Sequence, residues 1–208
     1  MVCSPFILHH GEDPDGLIAD ALLTVYCQNT LKENPSAHFA FRYDTLPDLL
    51  PRVVAVAEKA HPCQIFIADI NLNPETVQRE QGGLLDRLVR SCYPAHREKP
   101  QVYWFDHHQE TEQQRDDYVR RGISVIHHPQ QCASLLIAKH FGLDQDLYFH
   151  QLASIAQAHD YAQPGQINEP LQYGNLLEKI IALANAESNG DLLRQLSRDL
   201  REGHCLAD

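Results

Sequence analysis

Residues 101–108 read Gln-Val-Tyr-Trp-Phe-Asp-His-His, an apolar run that ends in one carboxylate and two imidazoles. The β-branched and aromatic residues of the run predict a buried strand over 101–105. Asp106, His107 and His108 directly after such a strand are hard to explain as packing, because imidazole and carboxylate groups are common ligands of divalent ions. The alternative interpretation is a solvated polar loop.

Similar apolar runs elsewhere predict a five-stranded sheet. The expected strands cover residues 5–9, 37–43, 64–68, 101–105 and 123–127. Apolar residues at helical spacing predict helices over 17–25, 49–60, 75–92, 132–141 and 146–158, with a polar helix or loop over 109–121. Strands that alternate with helices indicate a doubly wound, mostly parallel α/β sheet with helices on both faces. Ligands of such folds bind beyond the carboxyl ends of the strands.

The C-terminal part of the chain has a different pattern, because two predicted helices, 171–187 and 191–202, follow each other without a strand, with Gly190 at the break. The sequence therefore predicts an α/β domain over residues 1–162 and a short helical extension over 163–208. We expect the extension to pack on the α/β domain or across a homodimer through its apolar positions, which are Leu176, Leu177, Ile180, Ile181, Leu183, Leu192, Leu193, Leu196 and Leu200.

Composition narrows the class of protein. The chain has 208 residues and a formal net charge of −11, so long duplex nucleic acid is an unfavourable partner. Its apolar runs are too short for a transmembrane helix, and its first residues lack the basic and apolar segments of a signal peptide, so we expect no membrane partner and a cytoplasmic location. The six cysteines form no CxxC pair, which is typical of reduced thiols.

The first predicted strand runs into His-His-Gly-Glu-Asp-Pro-Asp, residues 9–15. Pro14 biases Asp13 towards an extended backbone, in which Asp13 and Asp15 point to the same side and would attract a cation. The alternative is that Asp15 caps the following helix and Asp13 lies in a loop. Strand alternation turns His10 away from His9, so His10 is not expected in the site.

Two further aspartates end predicted elements. Asp69 follows the strand over 64–68, and Asp160 follows the helix over 146–158. Each alone is explained equally well as a turn or cap residue. Their occurrence together with the other strand-end residues is more informative than any one of them, because three of the four positions lie where ligands bind in a doubly wound fold.

These residues, taken in order over about 5–161, resemble the DHH phosphoesterase superfamily, which is named for the sequence Asp106-His107-His108. The first motif of several branches, His-x-x-x-Asp-x-Asp, corresponds to His9, Asp13 and Asp15. Strand-terminal Asp69 and helix-terminal Asp160 correspond to two further motifs. The Gly-Gly-Gly-His-like motif of a second, substrate-gripping domain does not occur after Asp160.

The resemblance implies a site with two divalent ions, Mn²⁺ foremost and Mg²⁺ or Co²⁺ otherwise. One ion would be held by His9, Asp13 and Asp69, and the other by Asp15, Asp69, His107 and Asp160. The two catalytic residues would be His108, which would face the substrate phosphate, and Asp106, which would orient neighbouring side chains.

The activity that the resemblance implies is hydrolysis of a phosphoester or phosphoanhydride by a water that the two ions activate. The expected substrate is a small phosphorylated compound or a short single-stranded oligonucleotide. The alternatives are a metal- and nucleotide-binding regulatory module with little turnover, and an activity like that of inorganic pyrophosphatases or exopolyphosphatases.

Overall fold

The computed structural model describes residues 4–71, 82–92, 101–187 and 190–203. These residues form a five-stranded, all-parallel sheet with strand order β2-β1-β3-β4-β5. The strands are β1 (Phe6–His10), β2 (Ala37–Phe41), β3 (Ile65–Ala68), β4 (Val102–Asp106) and β5 (Ile123–His127). The predicted α/β fold class is thus confirmed, and each predicted strand is present with small shifts at its ends.

Helices connect the strands and continue beyond the sheet. They are α1 (Pro14–Tyr26), α2 (Leu46–Ala60), α3 (Gly82–Ser91), α4 (Gln109–Arg120), α5 (Ala133–Phe141), α6 (Leu147–Asp160), α7 (Glu169–Ala186) and α8 (Gly190–Glu202). A π-helical turn, Cys27–Leu31, extends α1, and a 3₁₀ turn, Leu143–Gln145, precedes α6. The first part of the predicted 75–92 helix lies outside the described residues. Gly190, predicted at the break between the last two helices, is the first described residue of α8, and α7 ends at Ala186.

The segment over 109–121, for which sequence left helix and loop open, is helical as α4. It buries only Thr111 and Tyr118, which explains its polar composition. Each face of the sheet carries helices, because alternate residues of each strand contribute to two separate hydrophobic clusters. Phe66 and Phe105 pack with α1, α5 and α6, whereas Ile67 and Trp104 pack with α2, α3 and α4.

Helices α7 and α8 pack against α1 on the face of the sheet that also carries α5 and α6. Leu177, Ile181, Leu196 and Leu200 are buried in the same hydrophobic cluster as α1. The prediction that the C-terminal helices pack on the α/β domain is therefore confirmed for these residues, whereas Leu176 and Leu183 are exposed. Because α1 has neighbours on both sides, it is buried along nearly its whole length and shows little amphipathic pattern.

Strand β1 is the second strand of the sheet and lies between β2 and β3. The chain leaves β1 towards β2 and later returns on the other side of β1 as β3, so the strand order reverses between β1 and β3. Loops that follow these two strands diverge to opposite faces and leave a crevice at their carboxyl ends. None of the described helices combines the length and apolar character needed to cross a lipid bilayer.

Candidate metal centre

Acidic and histidine side chains converge in this crevice. Three overlapping groups have ligand atoms that all lie within 4.8 Å of one another, and each group could hold a metal ion. The groups are His10, Asp13 and Asp69; Asp15, His107 and Asp160; and Asp69, Asp106, His107 and His108. The structure thus brings together all the site residues expected from sequence except His9.

Asp69 is at the centre of the cluster. Its Oδ1 atom lies 3.3 Å from Nε2 of His107, and its Oδ2 atom lies 3.5 Å from Nδ1 of His10. Asp69 has a φ angle of 57°, in the left-handed region that a non-glycine residue rarely adopts and that often marks functional sites. A hydrogen bond of 2.9 Å from its backbone N–H to the Phe105 carbonyl holds this conformation. The fold therefore places one carboxylate between two histidines.

Two buried carboxylate oxygens of the cluster, Oδ2 of Asp69 and Oδ2 of Asp160, have no hydrogen-bond partner within the described residues. Burial, together with the charges of Asp13 and Asp15, raises the pKa of Asp69 well above its usual value. Burial and the charges of Asp160 and Asp13 raise the pKa of Asp15 to about 7. Carboxylates that repel one another in a buried site are stabilised by a cation, so the arrangement fits a metal ion.

Asp13 and Asp15 reach the cluster in a way that differs from the sequence-based expectation. Pro14 begins α1, so Asp15 is helical and the two residues do not share an extended segment. Asp13, not Asp15, caps the helix, and its Oδ1 accepts a 3.0 Å hydrogen bond from the N–H of Gly16. A Cβ atom at Gly16 would lie 2.1 Å from the His10 carbonyl oxygen, so this close approach requires glycine.

The carboxylate of Asp15 is held from a distant part of the chain. Its two oxygens accept hydrogen bonds of 2.7 and 2.8 Å from the backbone N–H groups of Ala133 and Ser134 at the start of α5. The Ser134 hydroxyl also donates to the Asp15 carbonyl over 2.8 Å. Helix α5 therefore fixes the side chain of Asp15 beside His107 and Asp160.

The expectation that His9 and not His10 faces the site is wrong. Strand β1 continues to His10, whose Nδ1 donates a 2.7 Å hydrogen bond to Oδ2 of Asp13. Because strand side chains alternate, His9 points to the face on which Ile7 packs, and its Nδ1 donates to the His10 carbonyl over 2.8 Å. The predicted ligand His9 therefore lies outside the cluster.

The carboxylates near His10 change the pKa of its imidazole ring. Burial lowers the pKa of His10, but the hydrogen bond to Asp13 and the nearby Asp69 outweigh it and raise the pKa to about 11. The cluster thus retains a proton on His10. A cation bound through this ring would release that proton, as is usual when metals bind histidine.

His107 presents a lone pair to the cluster. The Tyr161 hydroxyl donates to the Pro129 carbonyl over 3.2 Å and therefore accepts from Nδ1 of His107 at 3.0 Å. The other ring nitrogen, Nε2, lies 3.3 Å from Oδ1 of Asp69 and 3.5 Å from Oδ2 of Asp160. Three acceptor atoms that face one another are the arrangement of ligands around a cation, with Tyr161 orienting the imidazole.

Asp106 differs from the other carboxylates, because both of its oxygens already have donors. Nδ1 of His108 lies 2.6 Å from Oδ1, and the Thr111 hydroxyl donates to Oδ2. Burial lowers the pKa of His108, but the bond to Asp106 outweighs it and raises the pKa above its usual value. Asp106 therefore holds the His108 ring in place and favours its protonated form.

A cavity of about 620 Å³ adjoins His107 and is lined by Gln109, Glu112, Arg115, His127 and Pro129. Nε2 of His127 donates a 2.9 Å hydrogen bond to the His108 carbonyl, and its Nδ1 lies 3.1 Å from Glu112. The cleft thus borders the cluster at His107, and the guanidinium of Arg115 lies in its wall.

Sequence reasoning set aside or missed three residues of this region, namely His10, Tyr161 and His127. His10 and His127 each end a strand, so the strand-end rule could have found them. For Tyr161 the only signal was its position next to Asp160.

Comparisons with known proteins do not identify the chain. No family model matches it, and no curated protein matches it. An uncharacterized protein from Helicobacter pylori G27 has a similar structure, with a TM-score of 0.63 and 14% sequence identity over 95% of this chain and 57% of that chain. This similarity shows the fold alone, and the present chain spans little more than half of that protein's length.

Proposed function

We propose that this protein is a metal-dependent phosphohydrolase of the DHH type, acting on a small phosphorylated compound or a short single-stranded oligonucleotide. One observation carries the proposal: Oδ1 of Asp69 and Oδ2 of Asp160 lie 3.3 and 3.5 Å from the Nε2 atom of His107, and this buried Asp160 oxygen has no hydrogen-bond partner among the described residues. These three acceptors lie at the carboxyl edge of a doubly wound sheet, where ligands of such folds bind.

The residues fit two divalent ions. His10, Asp13 and Asp69 would hold one ion, and Asp15, His107 and Asp160 would hold the other; Asp69, 3.3 Å from His107, would be a ligand of both. Carboxylate oxygens with a minority of imidazole nitrogens suit Mn²⁺. Two such ions supply positive charge for a phosphoryl group and lower the pKa of a water molecule that attacks it.

The remaining residues of the site bind and orient the substrate. His108, whose pKa Asp106 raises, binds a phosphoryl oxygen and supplies a proton to the leaving group. Arg115 lies in the wall of the cleft and offers a guanidinium to the rest of an anionic substrate. A cleft of about 620 Å³ suits a mononucleotide-sized ligand better than a long polymer.

A second candidate function is a metal- and nucleotide-binding regulatory module with little turnover. One observation favours it: both oxygens of Asp15 already accept backbone N–H groups from α5, which reduces their donation to an ion. A module of this kind binds Mn²⁺ and a nucleotide without releasing product.

The test is hydrolysis of bis(p-nitrophenyl) phosphate with Mn²⁺, Mg²⁺ or Co²⁺, followed by a panel of pyrophosphate, mononucleotides and short oligonucleotides. We expect Mn²⁺-dependent turnover that falls at least about 100-fold in Asp69→Asn, since even outer-shell changes at metal sites cost about 10–100-fold. Asp116→Asn, the same change on the exposed side of α4, is the matched control and keeps full activity.

Three outcomes separate the candidates. A folded Asp69→Asn protein with wild-type turnover would reject the metal centre. Mn²⁺ binding without turnover of any substrate in the panel would reject the hydrolase and support the regulatory module. Turnover of pyrophosphate alone would narrow the activity to that of a pyrophosphatase.

A further inference from the structure

A second cavity, of about 290 Å³, lies on the face of the sheet to which His9 points. Residues of β1, β2, α1, α7 and α8 line it, and they include His9, His38 and Ser197. It is separate from the cleft beside His107, because the two cavities share no lining residue. The proposed metal centre uses none of these three side chains.

Three arginines of α8 line this cavity together. Arg194, Arg198 and Arg201 are spaced four and three residues apart, so they share one face of the helix. Their convergence is unusual for a chain with 17 Lys and Arg residues against 28 Asp and Glu residues. Helix α8 thus places three positively charged side chains in the lining of this cavity, in a protein whose net charge is negative.

The guanidinium groups are available to a ligand to different degrees. Arg194 pairs with Asp191, and Arg201 lies 3.8 Å from Glu202. Arg198 donates a 3.4 Å hydrogen bond to the neutral side chain of Gln195 and has no carboxylate partner within the described part of the chain. Arg198 is therefore the strongest candidate for an anion contact.

The one buried carboxylate among the residues that line the cavity, Asp20, has a hydrogen-bond partner on each oxygen. Its Oδ1 lies 2.6 Å from Nδ1 of His38, and its Oδ2 accepts a 2.6 Å hydrogen bond from the Ser197 hydroxyl. Both oxygens are thus used within the protein. The contact with Asp20 also holds the His38 ring, because Nδ1 of the ring points to the carboxylate. The His38 side chain remains 35% exposed.

We propose that this cavity binds a compact phosphate-bearing anion, in a site separate from the metal centre. Planar guanidinium groups match the oxygens of phosphate and bind them with two parallel hydrogen bonds. The volume lies at the lower limit of small-molecule pockets, which suits inorganic phosphate or a small phosphomonoester. The proposal does not depend on the proposed hydrolase activity.

The test is calorimetric titration of EDTA-treated protein with inorganic phosphate and with glycerol 3-phosphate, at fixed ionic strength. Without metal ions, the carboxylates of the metal centre repel both probes. We expect one site per chain, and binding about tenfold weaker in Arg198→Gln, because a hydrogen bond to a charged group is worth about a factor of ten. Arg194→Gln together with Arg198→Gln weakens binding further.

The controls distinguish this site from others. Lys179→Gln removes a positive charge from α7 outside the cavity lining, and Asp69→Asn alters the metal centre; both retain wild-type affinity. Thermal melting checks that each variant is folded. Absence of binding to wild type, equal affinity in the arginine variants, or acetate bound as tightly as phosphate would each overturn the proposal.

Discussion

Asp20 and Asp69 are both buried carboxylates with a histidine nearby, yet their environments differ. Both oxygens of Asp20 accept hydrogen bonds, from His38 and from Ser197. Oδ2 of Asp69 has no such partner among the described residues, and other carboxylates surround it. Burial by itself does not determine what a carboxylate does; the number and charge of its neighbours do.

The pKa directions express the same difference. Burial raises the pKa of Asp20, but the rings of His9 and His38 and the Ser197 hydroxyl outweigh it and lower the pKa to about 2. Burial and the charges of Asp13 and Asp15 raise the pKa of Asp69. Both oxygens of Asp20 thus have hydrogen-bond donors without a metal ion, whereas the carboxylates around Asp69 outnumber the histidine rings whose pKa they raise.

The largest expected contrast is in stability without metal. Asp20→Asn weakens two hydrogen bonds to a buried carboxylate and should lower the free energy of unfolding by about 2 kcal/mol, since a hydrogen bond to a charged group is worth about 1.5–3 kcal/mol. Asp69→Asn removes repulsion between carboxylates and should raise that free energy. Urea unfolding in EDTA measures both, with the exposed Asp116→Asn as a neutral control. If both substitutions change the free energy of unfolding in the same direction, the two carboxylates do not differ in their electrostatic environment as proposed.

Manganese should raise the melting temperature only of proteins in which Asp69 is intact. At 100 times its dissociation constant, an ion that binds only the folded state adds about 2.7 kcal/mol, or roughly 5–10 °C in the melting temperature of a chain of this size. We expect this shift in the wild type and in Asp20→Asn, and its loss in Asp69→Asn. A thermal melt with and without Mn²⁺ is the measurement, and an equal shift in all three proteins would contradict the assignment.

The pH dependence of stability should have opposite signs in the two regions. The pKa of Asp20 is lowered from 3.8 to about 2, so its contribution is present above pH 4 and about 2 kcal/mol of it is lost as the pH falls to 2. The pKa of Asp69 is raised, so its contribution is present below pH 4 and is lost as the pH rises.

The difference between wild type and Asp20→Asn should therefore shrink from pH 4 to pH 2, while that between wild type and Asp69→Asn should widen above pH 4. Urea unfolding in EDTA over a pH series checks both trends. Differences that stay constant with pH would show that neither carboxylate titrates differently in the folded state.

The smallest expected effect concerns the ring that faces Asp69. Tyr161→Phe removes the acceptor for Nδ1 of His107 and frees the imidazole to change tautomer. Loss of such an orienting contact should weaken Mn²⁺ binding by about tenfold. Calorimetric titration measures it, with the partly exposed Tyr173→Phe as the matched control. If Tyr161→Phe binds Mn²⁺ with wild-type affinity, Tyr161 does not position His107 for the metal.

The sequence by itself determined the sheet and the edge at which the polar residues meet. Apolar runs that end in Asp69 and in Asp106-His107-His108 are local signals, and parallel strands bring their carboxyl ends to one edge whatever the details of packing. Convergence of these side chains was therefore predictable, as was the packing of the C-terminal helices through their apolar positions.

Only the tertiary structure decided which residues face which site. His9 and His10 are neighbours in β1, so alternation sends their side chains to opposite faces, and only the packing of the sheet decides which of the two faces the cluster. The two amides that hold Asp15 are 118 and 119 residues away, and Ser197 reaches Asp20 across 177 residues. Contacts of this range arise from the packing of whole elements, which no local pattern of residues records.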